Sequence, residues 1–195
     1  MSLFILINII KIDMKNTLII LGHPNIKQSN ATKAIMDNFS SEKEIKIVDL
    51  YKQYSNFQID IKKEQKNLLE AKNIIFVFPI YWWSCPPLVK KYIDDVITWE
   101  FAYGTDDSHY KLTGKNSFFI TSTGSPKESY TKKGDAGHSL DEYFLPIRRT
   151  FSEFTRMNFK GQYNNYNAKG VGPFADLVKL KANAVDIVYK VKKQL

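Results

Sequence analysis

Thr17-Leu18-Ile19-Ile20-Leu21-Gly22-His23-Pro24-Asn25 is apolar as far as Leu21 and then breaks on residues that favour turns. An apolar run of this length, closed by Gly, Pro and Asn, predicts a buried strand feeding a loop. From about Ser29 to Phe39 the spacing becomes helical, completing a strand, loop, helix unit. A second strand near Ile45 to Val48 leads through a polar stretch to a helix near Lys63 to Ala71, and Ile74 to Phe78 is an almost wholly apolar third strand. Strands without polar alternation need helices on both faces. After Pro86-Pro87, the pairs Leu88-Val89, Tyr92-Ile93 and Val96-Ile97 recur every four residues around Lys90-Lys91 and Asp94-Asp95, which predicts an amphipathic helix. Ser117 to Thr121 is the next strand. Ser139 with Glu142 makes a capping box for a helix running toward Phe154, where Pro146 introduces a kink. A last strand lies around Phe159 to Tyr163, and Phe174, Leu177, Val178, Val185, Val188 and Val191 give a final helix one buried face. Strands alternating with helices in this way predict an α/β, doubly wound parallel sheet.

A chain of 195 residues with 44% hydrophobic composition fits one domain with a sizeable core. The net charge of +8 raises the question of nucleic acid. Lys62-Lys63, Lys90-Lys91, Lys132-Lys133 and Lys192-Lys193 are dispersed, however, and read as solvated faces, so no nucleic-acid partner is expected. A basic surface still favours acidic small molecules. Cys85 is the single cysteine, which excludes an intramolecular disulfide and fits a reducing, cytoplasmic compartment. Leu3 to Ile10 is too short to span a bilayer and lacks signal-peptide flanks. Strong patterning begins only near Met14, so residues 1–13 read as an upstream extension or leader and 14–195 as the domain.

In parallel α/β sheets ligands bind beyond the carboxyl ends of the strands, which directs attention to the segments after Leu21, Phe78 and Thr121. The first, Gly22 to Ala31, ends at a helix start. There Ser29 is either part of a phosphate site or simply an N-cap, and no glycine-rich phosphate fingerprint decides between the two. The second, Pro79-Ile80-Tyr81-Trp82-Trp83-Ser84-Cys85-Pro86-Pro87, places consecutive aromatics where a flat ligand can rest, since consecutive residues cannot all face one core. Cys85 reads as a packing residue, because no neighbouring cation lowers its pKa. The third, Thr121-Ser122-Thr123-Gly124-Ser125, offers donors to a polar ring edge, although such loops are also rich in these residues merely because they turn. His23, His109 and His138 lack metal-ligand spacing, so no metal site is expected.

This combination resembles the NAD(P)H:quinone oxidoreductase family of flavodoxin-like enzymes, the group containing DT-diaphorase and the ancillary flavoproteins of bacterial potassium-efflux systems. The resemblance runs from about Lys15 onward. It is most specific from Phe78 through Gly104, where Pro79-Ile80-Tyr81-Trp82-Trp83 is followed by Pro86-Pro87-Leu88, Lys90, Asp94 and Glu100-Phe101-Ala102-Tyr103-Gly104. It implies a flavodoxin-like three-layer α/β/α sandwich with a five-stranded parallel sheet, and a flavin held by the three loops. His23, Ser29, Asn30 and Ala31 would hold phosphate and ribityl groups; Pro79, Ile80, Tyr81, Trp82 and Trp83 would line the ring; and Ser122, Thr123, Gly124 and Ser125 would bond its polar edge. Tyr130 stands at the family's spacing for a tyrosine near the flavin N1/O2 edge. The family's partner histidine falls about two residues before His138, where Ala136 stands, so His138 is carried over out of register.

By the same resemblance, NAD(P)H delivers hydride to the flavin, leaves, and is replaced at that face by a quinone-like acceptor in a ping-pong cycle. Tyr130 and His138 would stabilise the charge that develops at N1/O2. Tyr103 would come from the partner subunit of a homodimer to cover the pocket. FMN is the expected flavin, with FAD the alternative. Two other functional readings remain, a flavodoxin-like electron carrier and a regulatory accessory subunit of a potassium-efflux membrane transporter. The Phe78 to Gly104 block and the added segment between Phe101 and Lys115 argue against the carrier.

Overall fold

The computed structural model describes residues 16–39, 45–168 and 176–195. Residues 1–13 and Phe174 lie outside them. Strands β1 (Thr17–Leu21), β2 (Ile45–Asp49), β3 (Asn73–Pro79), β4 (Asn116–Ser122) and β5 (Asn158–Asn165) form one sheet in the order β2-β1-β3-β4-β5. Every pairing is parallel. This is the flavodoxin-like order, and it places the reversal of winding beside β1 and β3.

Side chains of the central strands alternate between two cores, as the period of two requires. Leu18, Ile20, Ile74, Phe76, Phe78 and Phe119 join the core beneath α2 (Leu50–Gln53), α3 (Ile61–Glu70) and α4 (Pro87–Val96). Ile19, Leu21, Ile75, Val77, Phe118 and Ile120 join the opposite core, beneath α1 (Ala31–Asp37) and α7 (Leu177–Lys192). Helix α4 buries Leu88, Val89, Tyr92, Ile93 and Val96, the face its four-residue recurrence predicts. Glu64 of α3 is also fully buried: Tyr54 donates to its Oε1 at 2.6 Å and Asn67 to its Oε2 at 3.0 Å, so the carboxylate is hydrogen-bonded where it is dry. Burial, and then Glu64, push the Tyr54 hydroxyl well above the usual phenol range.

Two expectations need correction. The last helix buries Leu180, Ala184, Ile187, Val188 and Val191, while Leu177, Val178 and Val185 are exposed. Val178 and Val185 fall off the 3.6-residue stripe, Leu177 is the first helical residue, and small Ala184 holds a place on the stripe that its modest hydrophobicity did not advertise. The helix after Ser139 is also not one kinked rod. Its capping box is formed, with Glu142 N–H donating to Ser139 Oγ and Ser139 N–H to Glu142 Oε2. The chain then breaks at Phe144, between α5 (Leu140–Tyr143) and α6 (Leu145–Arg149), and finishes as a wide π turn at Thr150–Phe154. Pro146 lacks an N–H and its ring opposes the preceding turn, so the helix restarts with the proline in its first turn.

Gly22 fixes how closely α4 approaches the first loop. Its N–H donates to Val77 O at 2.8 Å, and a Cβ built on it lies 2.0 Å from Val89 Cγ2. We predict that Gly22→Ala destabilises the protein by about 1–3 kcal/mol through overpacking, and that adding Val89→Ala recovers part of that loss. Urea denaturation of both variants checks this, and a Gly22→Ala protein as stable as the parent contradicts it.

Candidate functional site

The three loops singled out from the sequence meet at the carboxyl edge of the sheet around an open cleft of about 180 Å³. His23, Ser29, Asn30 and Ala31 line it from the first loop, Pro79, Ile80 and Tyr81 from the second, and Ser122, Thr123 and Gly124 from the third. Gln28 and Ala168 complete the wall. Neither was picked out from the sequence. Gln28 belongs to a single 3-10 turn, Ile26–Gln28, and Ala168 arrives from a segment beyond β5, so only the tertiary fold brings them in.

His23 accepts a hydrogen bond at Nδ1 from the Asn25 N–H, at 3.1 Å. The neutral ring therefore carries its proton on Nε2. Burial lowers the His23 pKa and the nearby Asp49 carboxylate only partly opposes this, so near neutral pH the ring is an uncharged donor. Ser29 Oγ accepts from the Thr32 N–H at 3.1 Å, which is a helix-capping bond. Its own hydroxyl proton remains available to donate. Thr32, buried, shares a 3.1 Å hydrogen bond with Ser122 Oγ and so ties the start of α1 to the end of β4.

In the second loop, Tyr81 N–H donates to Ser84 O and Ser84 N–H to Tyr81 O, each at 2.9 Å, closing a two-residue turn on Trp82 and Trp83. Both tryptophans have positive φ, 47° and 57°. Positive φ at both central positions defines a type I′ turn, a conformation that suits Asn and Gly and strains a bulky side chain. Trp82 is 90% exposed, and Trp83 stacks on Tyr143 with ring centroids 5.7 Å apart and an interplanar angle of 12°. Cys85 is buried and its thiol pKa is pushed up by burial, which makes it the packing residue the sequence suggested.

The third loop is strapped down by the chain leaving β5. Thr123 N–H donates to Asn165 O at 3.1 Å, Ala168 N–H to Thr123 O at 2.7 Å, and Asn167 N–H to Ser125 O at 3.0 Å. Gly124 is exposed, its φ is not positive, and a Cβ built there meets nothing within 4 Å. The protein's own packing does not require glycine at this point.

Six of the residues picked from the sequence stand outside the cleft lining. Trp82 and Trp83 form the turn beyond Tyr81, and Ser125 follows Gly124. Tyr130 is buried in a small cluster with Ala136 and Leu140, on which Ile80 packs, so it backs the cleft wall. His138 is exposed, 3.6 Å from Glu142 Oε1 and edge-on to the Tyr143 ring. Tyr103 is half-buried, between Trp99 and Phe154. Among the described residues, no group of His, Cys, Asp and Glu is placed to hold a metal ion.

Residues 15–182 match the family described as having a flavodoxin-like fold. The uncharacterized NAD(P)H oxidoreductase YrkL of Bacillus subtilis is 38% identical over 150 residues, which span 77% of this chain and 84% of YrkL. The glutathione-regulated potassium-efflux system ancillary protein KefG of Pectobacterium atrosepticum is 30% identical over 167 residues, 86% of this chain and 88% of KefG. Among solved structures, general stress protein 14 of Treponema denticola, crystallised in complex with FMN, superposes with a TM-score of 0.83 at 29% identity, over 92% of this chain and 99% of that one.

The strained turn yields a prediction independent of any ligand. Because Trp82 buries little surface and sits at φ 47°, Trp82→Asn should raise the unfolding free energy by about 1 kcal/mol. Thermal and chemical denaturation measure this, and a less stable variant would show that the turn carries no relievable strain.

Proposed function

The chain belongs to the flavodoxin-like fold family, and on that premise we propose that it is a cytoplasmic FMN-dependent NAD(P)H oxidoreductase that passes two electrons to a quinone-like acceptor. The observation that carries the reading is the convergence of polar donors, the Pro79, Ile80 and Tyr81 segment and a sterically unneeded Gly124 on one cleft at the switch point of the sheet. The residues fit a flavin. The His23 Nε2–H, the Ser29 hydroxyl and the Asn30 side chain suit a phosphate and a polyol, and Pro79, Ile80 and Tyr81 suit one side of a flat ring.

Bound flavin supplies the two-electron, hydride-accepting chemistry that side chains lack. The protein's part is to bind, orient and stabilise. His23 and Ser29 hold the phosphate end. Trp82 and Trp83 shelter the ring from beyond Tyr81, while Gly124 and Ser125 present backbone N–H groups to its polar edge. Tyr130 and His138 have the role of stabilising negative charge developing there, and Tyr103 that of closing the pocket across a homodimer. The exposed Trp99 and Phe154 around Tyr103 supply apolar surface for such a contact.

Purified protein loaded with FMN should oxidise NADH or NADPH when menadione or benzoquinone is present, and the flavin it carries from the cell should have the mass of FMN. Absence of turnover with both donors contradicts the enzymatic reading, and a mass matching FAD contradicts the choice of flavin. A role beside a membrane transporter is the second reading, favoured by the similarity to KefG. Among the described residues no helix is long and apolar enough to cross a membrane, and co-purification with a membrane transporter tests that role.

Tyr130 gives a finer test. If its hydroxyl stabilises charge during hydride transfer, Tyr130→Phe slows flavin reduction about tenfold, or about 1.4 kcal/mol, and leaves affinity for oxidised FMN nearly unchanged. Stopped-flow reduction by NAD(P)H isolates that step. A wild-type rate together with a lower melting temperature makes Tyr130 a packing residue.

A further inference from the structure

Tyr143 makes three contacts that no other residue of the site combines. Its ring stacks on Trp83, with centroids 5.7 Å apart and planes 12° from parallel. Its hydroxyl donates to the Ala136 carbonyl. The His138 ring meets it edge-on at 5.8 Å and 84°. Ile80 and Tyr143 are also packed both against the large core that contains α4 and against the Tyr130, Ala136, Leu140 cluster. Ile80 lines the cleft and Tyr143 stands behind its rim.

A strained conformation persists only where its surroundings hold it. For the Trp82–Trp83 turn, the hydrogen-bonded pair Tyr81 and Ser84 closes the backbone but does not fix where the indoles lie. Trp82 is nearly free of the protein and touches Trp83. The stack on Tyr143 is the contact that orients Trp83. Tyr143 is itself well placed to hold it, since the Ser139–Glu142 capping box fixes the start of its helical turn and the next residue, Phe144, is buried in the core.

We propose that Tyr143 is a positioning residue that ties the strained Trp82–Trp83 turn to the loop carrying Ala136 and His138, so that the rim beyond Ile80 and Tyr81 keeps a single geometry. The ring and the hydroxyl divide the work. The ring sets Trp83, and the hydroxyl bond to Ala136 sets the loop between Tyr130 and His138. A slackened hydroxyl bond therefore frees the loop and leaves the indole in place, whereas loss of the ring frees both.

The part of the proposal that concerns flavin rests on the function proposed above, and the test keeps the two separate. Tyr143→Phe and Tyr143→Leu are compared with the parent as purified full-length proteins, by near-ultraviolet circular dichroism, by hydrogen exchange of residues 131–138, and by titration with FMN. The Phe variant should keep the tryptophan band and FMN affinity while residues 131–138 exchange faster. The Leu variant should lose the band, show the same faster exchange, and bind FMN about three- to tenfold more weakly, the worth of one aromatic stack. A Leu variant with an unchanged band and unchanged exchange overturns the proposal even if it melts lower, because Tyr143 then only fills space. Should the Leu variant fail to fold, unchanged exchange in the Phe variant overturns it as well. If the parent binds no FMN, the functional reading fails, while the band and the exchange still decide whether Tyr143 couples turn and loop.

Discussion

Burial of the sheet on both faces is the constraint from which the rest follows. Leu18 and Ile20 face one core while Ile19 and Leu21 face the other, and β3 repeats the division with Phe76 and Val77. A sheet with two apolar faces needs a helix layer on each, and parallel strands joined by helices obtain both. Parallel connection has a second consequence. All five strands end at the same edge, so the loops after β1, β3 and β4 must emerge side by side. The reversal of winding next to β1 then parts the helices α1 and α4, and the cleft opens there. The position of the site is thus a property of how the core is covered, before any polar residue is considered.

What fills that position is less economical in energy than the core beneath it. Two tryptophans occupy the centre of a turn that suits Asn and Gly, and one of them lies almost wholly in water. Neither choice helps the fold. Backbone strain and exposed apolar surface coincide here beside the cleft, and strain of this kind gathers at functional sites in general. Gly124 is the converse case, a residue whose lack of a side chain answers to no atom of the protein.

The central strands β1 and β3 and helix α4 were legible in the sequence because nothing competes with an almost wholly apolar run or with paired apolar residues every four positions. Composition alone misled at the last helix, where Val178 and Val185 count as core by type yet lie off the stripe, and where Ala184 was overlooked. The helix after Ser139 showed its beginning and not its division, since a capping box is local whereas the break combines the missing N–H of Pro146 with the burial of Phe144 in the core. Fully buried Glu64 carried no sequence signal, because its partners Tyr54 and Asn67 are set by packing. In the site, the residues on strand ends and first loop turns were readable from topology. Gln28, Thr32, Ala168 and Tyr143 were not, because each reaches the cleft or its rim through a contact that local patterning does not encode.

Ser29 shows why a choice posed at the level of sequence need not survive as one. Read along the chain, it is either a helix cap or a phosphate ligand. A hydroxyl, however, has acceptor lone pairs and one donor proton, and the two roles call on different ones. Capping uses the lone pair toward the Thr32 N–H, which fixes the oxygen at 3.1 Å from that nitrogen and removes most of the side chain's rotational freedom. The remaining proton is then held near one place at little further entropic cost. His23 follows the same logic: the Asn25 N–H occupies Nδ1, so the proton of the neutral ring is confined to Nε2, and burial favours that neutral form. In both residues the bond that serves the fold also sets the donor. A bond that uses one atom of such a side chain for the fold leaves its remaining donor in a defined place, so the structural reading does not exclude the functional one.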